Sequence, residues 1–79
     1  MARHEVVSPI PGTFYRRPDP NSDPFVTEGQ TVAPDDPVGL IEVMKSFNEV
    51  KAEVAGKIVK FLADNEEPVM AGQPLAEIA

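Results

Sequence analysis

The sequence predicts an all-β domain, a flattened barrel assembled from two similar four-strand units. Three observations lead there. Nine prolines and five glycines are spread through 79 residues and cut the chain into short pieces. No piece carries an i, i+3, i+4 apolar stripe, and the nearest candidate, Asn48 to Leu62, alternates at Val50, Ala52 and Val54 with period 2. The second half then repeats the first. Gly12 corresponds to Gly56 and Phe14 to Ile58 at an offset of 44; Val32 corresponds to Val69, Pro37 to Pro74 and Ile41 to Ile78 at an offset of 37. Neither unit can bury its apolar face alone, so each covers the other about a pseudo-two-fold axis.

The elements follow in order. His4-Glu5-Val6-Val7 reads as a strand, stopped by Ser8-Pro9-Ile10-Pro11-Gly12, and Thr13-Phe14-Tyr15 as a second. A polar run, Arg16 to Pro24, separates it from Phe25-Val26. Thr27 to Gln30 is a turn, Thr31-Val32 a strand stub, and Ala33-Pro34-Asp35-Asp36-Pro37 another turn. Val38 to Val43 is the strand that leads to the join between the halves, and Ser46 to Val54 returns from it. Ala55-Gly56 turns the chain into a strand from Lys57 to Leu62. Asp64 to Glu67 is a turn, Pro68 to Met70 a stub, Ala71 to Gln73 a turn, and Pro74 to Ile78 the closing strand. The two offsets differ by 44 − 37 = 7, so the first unit holds seven extra residues between Phe14 and Val32, where the Pro/Asp/Asn-rich run sits.

The join is the stretch from Gly39 to Val50. A hairpin with a two-residue loop at Met44-Lys45 places Val43 opposite Ser46, Ile41 opposite Asn48 and Gly39 opposite Val50. Ala52 and Val54 continue that buried face, while Glu49, Lys51 and Glu53 point to solvent. Lys45 stands at the tip, away from any core. Met44-Lys45 is not a pair that tight hairpin turns favour, as Asn-Gly or Asp-Gly would be.

Composition narrows the function classes. Seven basic and thirteen acidic residues leave a net charge of −6, which opposes binding to nucleic acid or to an anionic membrane surface. Without cysteine there is no disulfide and no thiolate metal site. No apolar run approaches the ~20 residues of a membrane span. The chain enters a strand directly after Met1, with no signal-peptide segment, and the expectation is one soluble, cytoplasmic domain over residues 1–79.

Glu42-Val43-Met44-Lys45, followed by Asn48-Glu49-Val50, resembles the attachment hairpin of biotin carboxyl carrier domains. The usual run there is Glu-Ala-Met-Lys-Met or Glu-Ala-Met-Lys-Leu, so Val43 and Ser46 depart from it. The tandem repeat is similar to that of the biotinyl and lipoyl carrier fold, with two antiparallel four-stranded sheets and the lysine hairpin opposite the chain ends. Ser8 to Arg16, the polar run and Phe25-Val26 resemble the carriers of bacterial and plastid acetyl-CoA carboxylase. These have a protruding "thumb" near the biotin, which falls here at about 17–24. That group also has a long Pro/Ala-rich N-terminal region, which does not precede Met1. The chain therefore reads as either an excised domain or a short stand-alone carrier, with Met1 and the altered lysine flanks favouring the second.

The resemblance implies a biotin carried covalently on Lys45, with Glu42, Met44 and Ser46 recognised by a biotin protein ligase. It also implies a carrier that is not itself an enzyme. The carrier would move a carboxyl group from biotin carboxylase to carboxyltransferase, for acetyl-CoA carboxylase and fatty acid synthesis. A lipoyl carrier of a 2-oxo acid dehydrogenase or glycine-cleavage system shares the fold but usually has Asp before the lysine, against Met44 here. A carrier for another biotin-dependent carboxylase and an unmodified association barrel complete the alternatives.

Other residues read as structure. His4 is the sole histidine, near a terminus and without a nucleophile. Asp35-Asp36 belongs to a turn rather than a metal site, Glu53 and Glu66-Glu67 to solvated faces, and Gly29, Gly56 and Gly72 to turns rather than a phosphate loop. Arg16-Arg17 is the one local positive cluster, either a contact for a carboxylated ligand or a partner or a solvated turn pair.

Overall fold

The computed structural model describes residues 3–79. Met1, on which the reading of a stand-alone chain partly rests, lies outside the described residues. Eight strands form: β1 His4–Val7, β2 Gly12–Tyr15, β3 Thr31–Val32, β4 Pro37–Val43, β5 Ser46–Lys51, β6 Gly56–Phe61, β7 Glu67–Val69 and β8 Pro74–Ile78. Two four-stranded antiparallel sheets result, in the orders β1-β8-β6-β3 and β5-β4-β2-β7. Exchanging each strand of the first four for its counterpart in the last four turns one order into the other. The pseudo-two-fold axis therefore exchanges the sheets, as the repeat predicts.

The core is built of these mates. Val6 and Val50, Phe14 and Ile58, Val32 and Val69, Val38 and Leu75, and Ile41 and Ile78 are all buried. Even the loops keep the symmetry. The Gln30 side chain accepts from the Thr27 N–H at 3.2 Å, and Glu67 from the Asp64 N–H at 2.9 Å. Asp36 accepts from Ala33 at 2.9 Å and Gln73 from Met70 at 3.0 Å, so Asp36 is turn chemistry as expected.

Several boundaries shift by one residue from the sequence reading (β4 begins at Pro37, β6 ends at Phe61, β7 runs Glu67–Val69), and two differences have a clear structural cause. β5 ends at Lys51 rather than Val54, because the Ala52 and Glu53 N–H groups donate to the Asp36 and Pro34 carbonyls and Glu53 turns the chain at φ 70°. Gly56 opens β6, paired with Val32, instead of sitting in a turn. β6 also carries a bulge at Val59: Ile58 pairs with Ile78, but Lys60 pairs with Glu77. From there the offset is 45, so Tyr15 corresponds to Lys60 and Arg16 to Phe61. The excursion in the first half is accordingly eight residues, 17–24, and the bulge cancels one to leave the net seven.

Candidate functional site

β4 and β5 position the lysine turn. Their pairing runs Gly39 with Val50, Ile41 with Asn48 and Val43 with Ser46, the register anticipated from alternation. Ile41 and Val50 anchor the ladder in the core, so the tip is held by a stiff two-strand ribbon. Met44 and Lys45 both adopt left-handed backbone, φ 51° and 67°. This is the geometry of the primed turns that match strand twist, normally given to Asn-Gly. Side-chain-bearing residues are held there at some conformational cost, and such strain collects at functional turns. Glu42 offsets part of it: its Oε2 accepts the Lys45 N–H at 2.7 Å.

The side chains at the tip face water. Met44 is 93% exposed, and Lys45 and Ser46 are exposed as well. The single ion pair among the described residues joins Arg3 to Glu77, so no carboxylate engages the Lys45 amine. An amine displayed in this way can be reached from almost any direction by a second protein.

Beside the turn, residues 17–24 leave the barrel and return to it at adjacent points. The Phe25 N–H donates to the Arg16 carbonyl at 2.9 Å and closes the base. Asp19 organises the far end, accepting from the Asn21 N–H at 2.9 Å and the Ser22 hydroxyl at 2.8 Å. Arg17 Nη1 donates to the Ser22 carbonyl at 3.2 Å, and the Arg16 guanidinium lies 3.8 Å above the Phe61 ring. The positive cluster thus does local work at the base of the excursion. Between this excursion and the outer face of the β5-β4-β2 sheet lies a cleft of about 400 Å³, lined by Tyr15, Leu40 and Phe47 on one side and Arg17 to Pro20 on the other. Tyr15 and Phe47 rings sit 6.3 Å apart at 56°.

The structure brings together Glu42, Met44, Lys45 and Ser46 as expected. It also adds Tyr15, Leu40 and Phe47, which sequence reasoning passed over. Their signal was available in the repeat, because their mates are all charged. His4 stands exposed on β1, and no metal-holding group of His, Cys, Asp and Glu occurs among the described residues. No helix of the described residues is long and apolar enough to cross a membrane.

A two-sheet barrel whose halves join through a lysine-tipped hairpin defines a class, the small carrier domains of the biotin and lipoyl kind. The family model described as "Biotin-requiring enzyme" matches residues 4–78, and the chain belongs to that family. A Nostoc protein, the biotin carboxyl carrier protein of acetyl-CoA carboxylase, is 45% identical over 74 residues, covering 94% of this chain and 41% of its own length. The protein of the same name from Pseudomonas aeruginosa is 45% identical over 73 residues, 92% of this chain and 47% of its own. The chain thus spans less than half of these relatives. Among solved structures, Kluyveromyces lactis urea carboxylase matches with a TM-score of 0.83 and 29% identity, covering 100% of this chain and 6% of that one.

Proposed function

We propose that Lys45 is the biotin attachment point and that the chain is a biotin carboxyl carrier. The observation that carries this is the display of Lys45: a non-glycine turn in left-handed backbone, pinned by Glu42, with the amine in water. The names of the relatives support biotin and acetyl-CoA carboxylase in particular. The site fits the group chemically. Attachment needs one primary amine, accessible to an activated carboxyl group and free of a competing ion pair, and Lys45 offers that.

When bound, biotin supplies a ureido nitrogen that accepts a carboxyl group and gives it up again. Everything else falls to the protein. Amide formation at the amine releases a proton, and the nearby Glu42 carboxylate is engaged by the Lys45 backbone N–H, so a biotin protein ligase provides both the activated acyl group and the proton acceptor. Glu42 and the ladder hold Lys45 where that enzyme can reach it, while Met44 and Ser46 flank it as recognition contacts. After attachment the carrier is not catalytic. It raises the effective concentration of the carried group at the active sites of biotin carboxylase and carboxyltransferase, in the aqueous cytoplasm.

Co-expression with a biotin ligase and intact-mass analysis tests the reading. One biotinyl increment, mapped to Lys45 by peptide digestion, is expected. A lipoyl increment with lipoate ligase, or no increment with either, would replace it by the lipoyl or the unmodified reading.

A further inference from the structure

The outer face of the β2-β4-β5 sheet carries an apolar patch that the fold does not require. Tyr15, Leu40 and Phe47 meet there beside the excursion, and Phe47 remains 60% exposed. The other half presents the same three backbone positions. Their mates are Lys60, Glu77 and Arg3, and Arg3 pairs with Glu77 at 3.0 Å. Charged side chains satisfy the equivalent sheet position in water, so the architecture of the sheet does not account for the aromatics. An exposed aromatic cluster is the kind of surface that anchors a partner.

We propose that this patch is the docking surface for the enzyme that acylates Lys45, and that it receives an apolar side chain framed by basic ones. The inference rests on Lys45 being the attachment point. Reach selects the occupant. The unmodified amine ends a side chain only roughly 6 Å long by ordinary bond lengths. The acylating enzyme must therefore cover the turn and the strand residues next to it, among which Phe47 lies two positions from Lys45. A partner that meets the carried group at the end of its longer arm need not cover the sheet at all. Charge selects the frame. Glu42 is paired across the strands with Phe47 and Glu49 with Leu40, and Asp19 and Glu66 line the cleft, so carboxylates outnumber the one cation there, Arg17, whose guanidinium is turned to the Ser22 carbonyl. A complementary surface is apolar in the middle and basic at its edge.

The test is steady-state biotinylation of the purified chain by a biotin protein ligase with biotin and ATP, with melting curves for every variant. Phe47→Arg and the triple variant Tyr15→Lys, Leu40→Glu, Phe47→Arg give the patch the identities of its mates; Glu77→Gln on the opposite sheet is the control. The expected result is a KM for the chain raised at least threefold by Phe47→Arg and at least tenfold by the triple variant, with kcat and the control within twofold. The unaltered chain should also show a KM that rises with salt between about 50 and 500 mM. A folded Phe47→Arg with unchanged KM overturns the proposal, and that variant decides alone if the triple variant does not fold. A fall in kcat at constant KM overturns it too, since the residues would then position the turn rather than bind, and a salt-independent KM removes the basic frame. Absence of label at Lys45 in the unaltered chain instead overturns the attachment reading itself.

Discussion

The two halves of this barrel are the same object built twice, and their differences cluster at one end. Core mates match in kind: Val6 with Val50, Val32 with Val69, Ile41 with Ile78. Turn mates match down to the side-chain oxygen that accepts each amide. The halves part company around the lysine hairpin. There the first half extends an eight-residue excursion where the second runs from Phe61 directly to Leu62, and Phe47 and Leu40 replace the Arg3–Glu77 ion pair on the sheet's outer face. Symmetry is what folding requires of this chain, and outside the core its breakage marks what folding does not require. That makes departures from the repeat a map of function.

The largest break in the comparison is at Lys45 itself. Lys45→Arg should abolish biotin attachment completely, because a guanidinium is no acyl acceptor, while the melting curve stays where it was. Streptavidin binding by that variant would place the attachment elsewhere.

One core pair differs in a compensated way, and it can be uncoupled. Phe14 faces Gly39 in the first half, where the second has Ile58 and Ala76. A Cβ at Gly39 would strike the Phe14 ring and the Tyr15 carbonyl. Gly39→Ala should therefore destabilise by about 1–3 kcal/mol as overpacking. Adding Phe14→Ile makes the pair that of the second half and should recover part of that loss, a coupling that urea titrations of the two single variants and the double variant would measure. Simple additivity would mean that the two halves do not share packing rules.

Glu42→Ala removes the side-chain acceptor of the Lys45 amide. It should cost about 0.5–1 kcal/mol, the range of one exposed hydrogen bond, and speed hydrogen exchange at the Lys45 N–H. Protection that does not change would deny Glu42 its role in the turn.

Deleting residues 17–24 joins Arg16 to Phe25 and makes the first half imitate the second. Loop closure depends weakly on length, so the thermal midpoint should move little. We expect the shortened protein to be biotinylated, with the carried group held more loosely and transferred less well. Unfolding of the shortened protein would show the excursion to be structural. Unmoved NMR shifts of the biotin ring protons would move its role to partner binding.

The smallest effect expected is at Ser46. Ser46→Met, closer to the usual flank of the biotinyl lysine, should quicken single-turnover biotinylation while altering stability by less than about 0.5 kcal/mol. A slower rate would show Ser46 already suited to its own ligase.

Much of this was legible before folding because it is local or repeated. Period-2 alternation on both sides of Met44-Lys45 allows one register that buries Ile41 and Val50, since a one-residue slip would turn them to water. The repeat supplies the long-range pairing that alternation alone cannot, because a strand and its mate occupy equivalent places. Tertiary structure decided the rest. The excursion's length was hidden because an offset records only the net of eight residues gained and one spent on the Val59 bulge. The cleft was hidden because Tyr15, Leu40 and Phe47 lie on the solvent side of three strands. There pattern predicts only exposure, and closeness comes from how β2, β4 and β5 stand side by side. The left-handed backbone of Met44 and Lys45 was hidden for a related reason. Neither residue favours it, and it is imposed by the two strands, which must twist together and be joined by two residues.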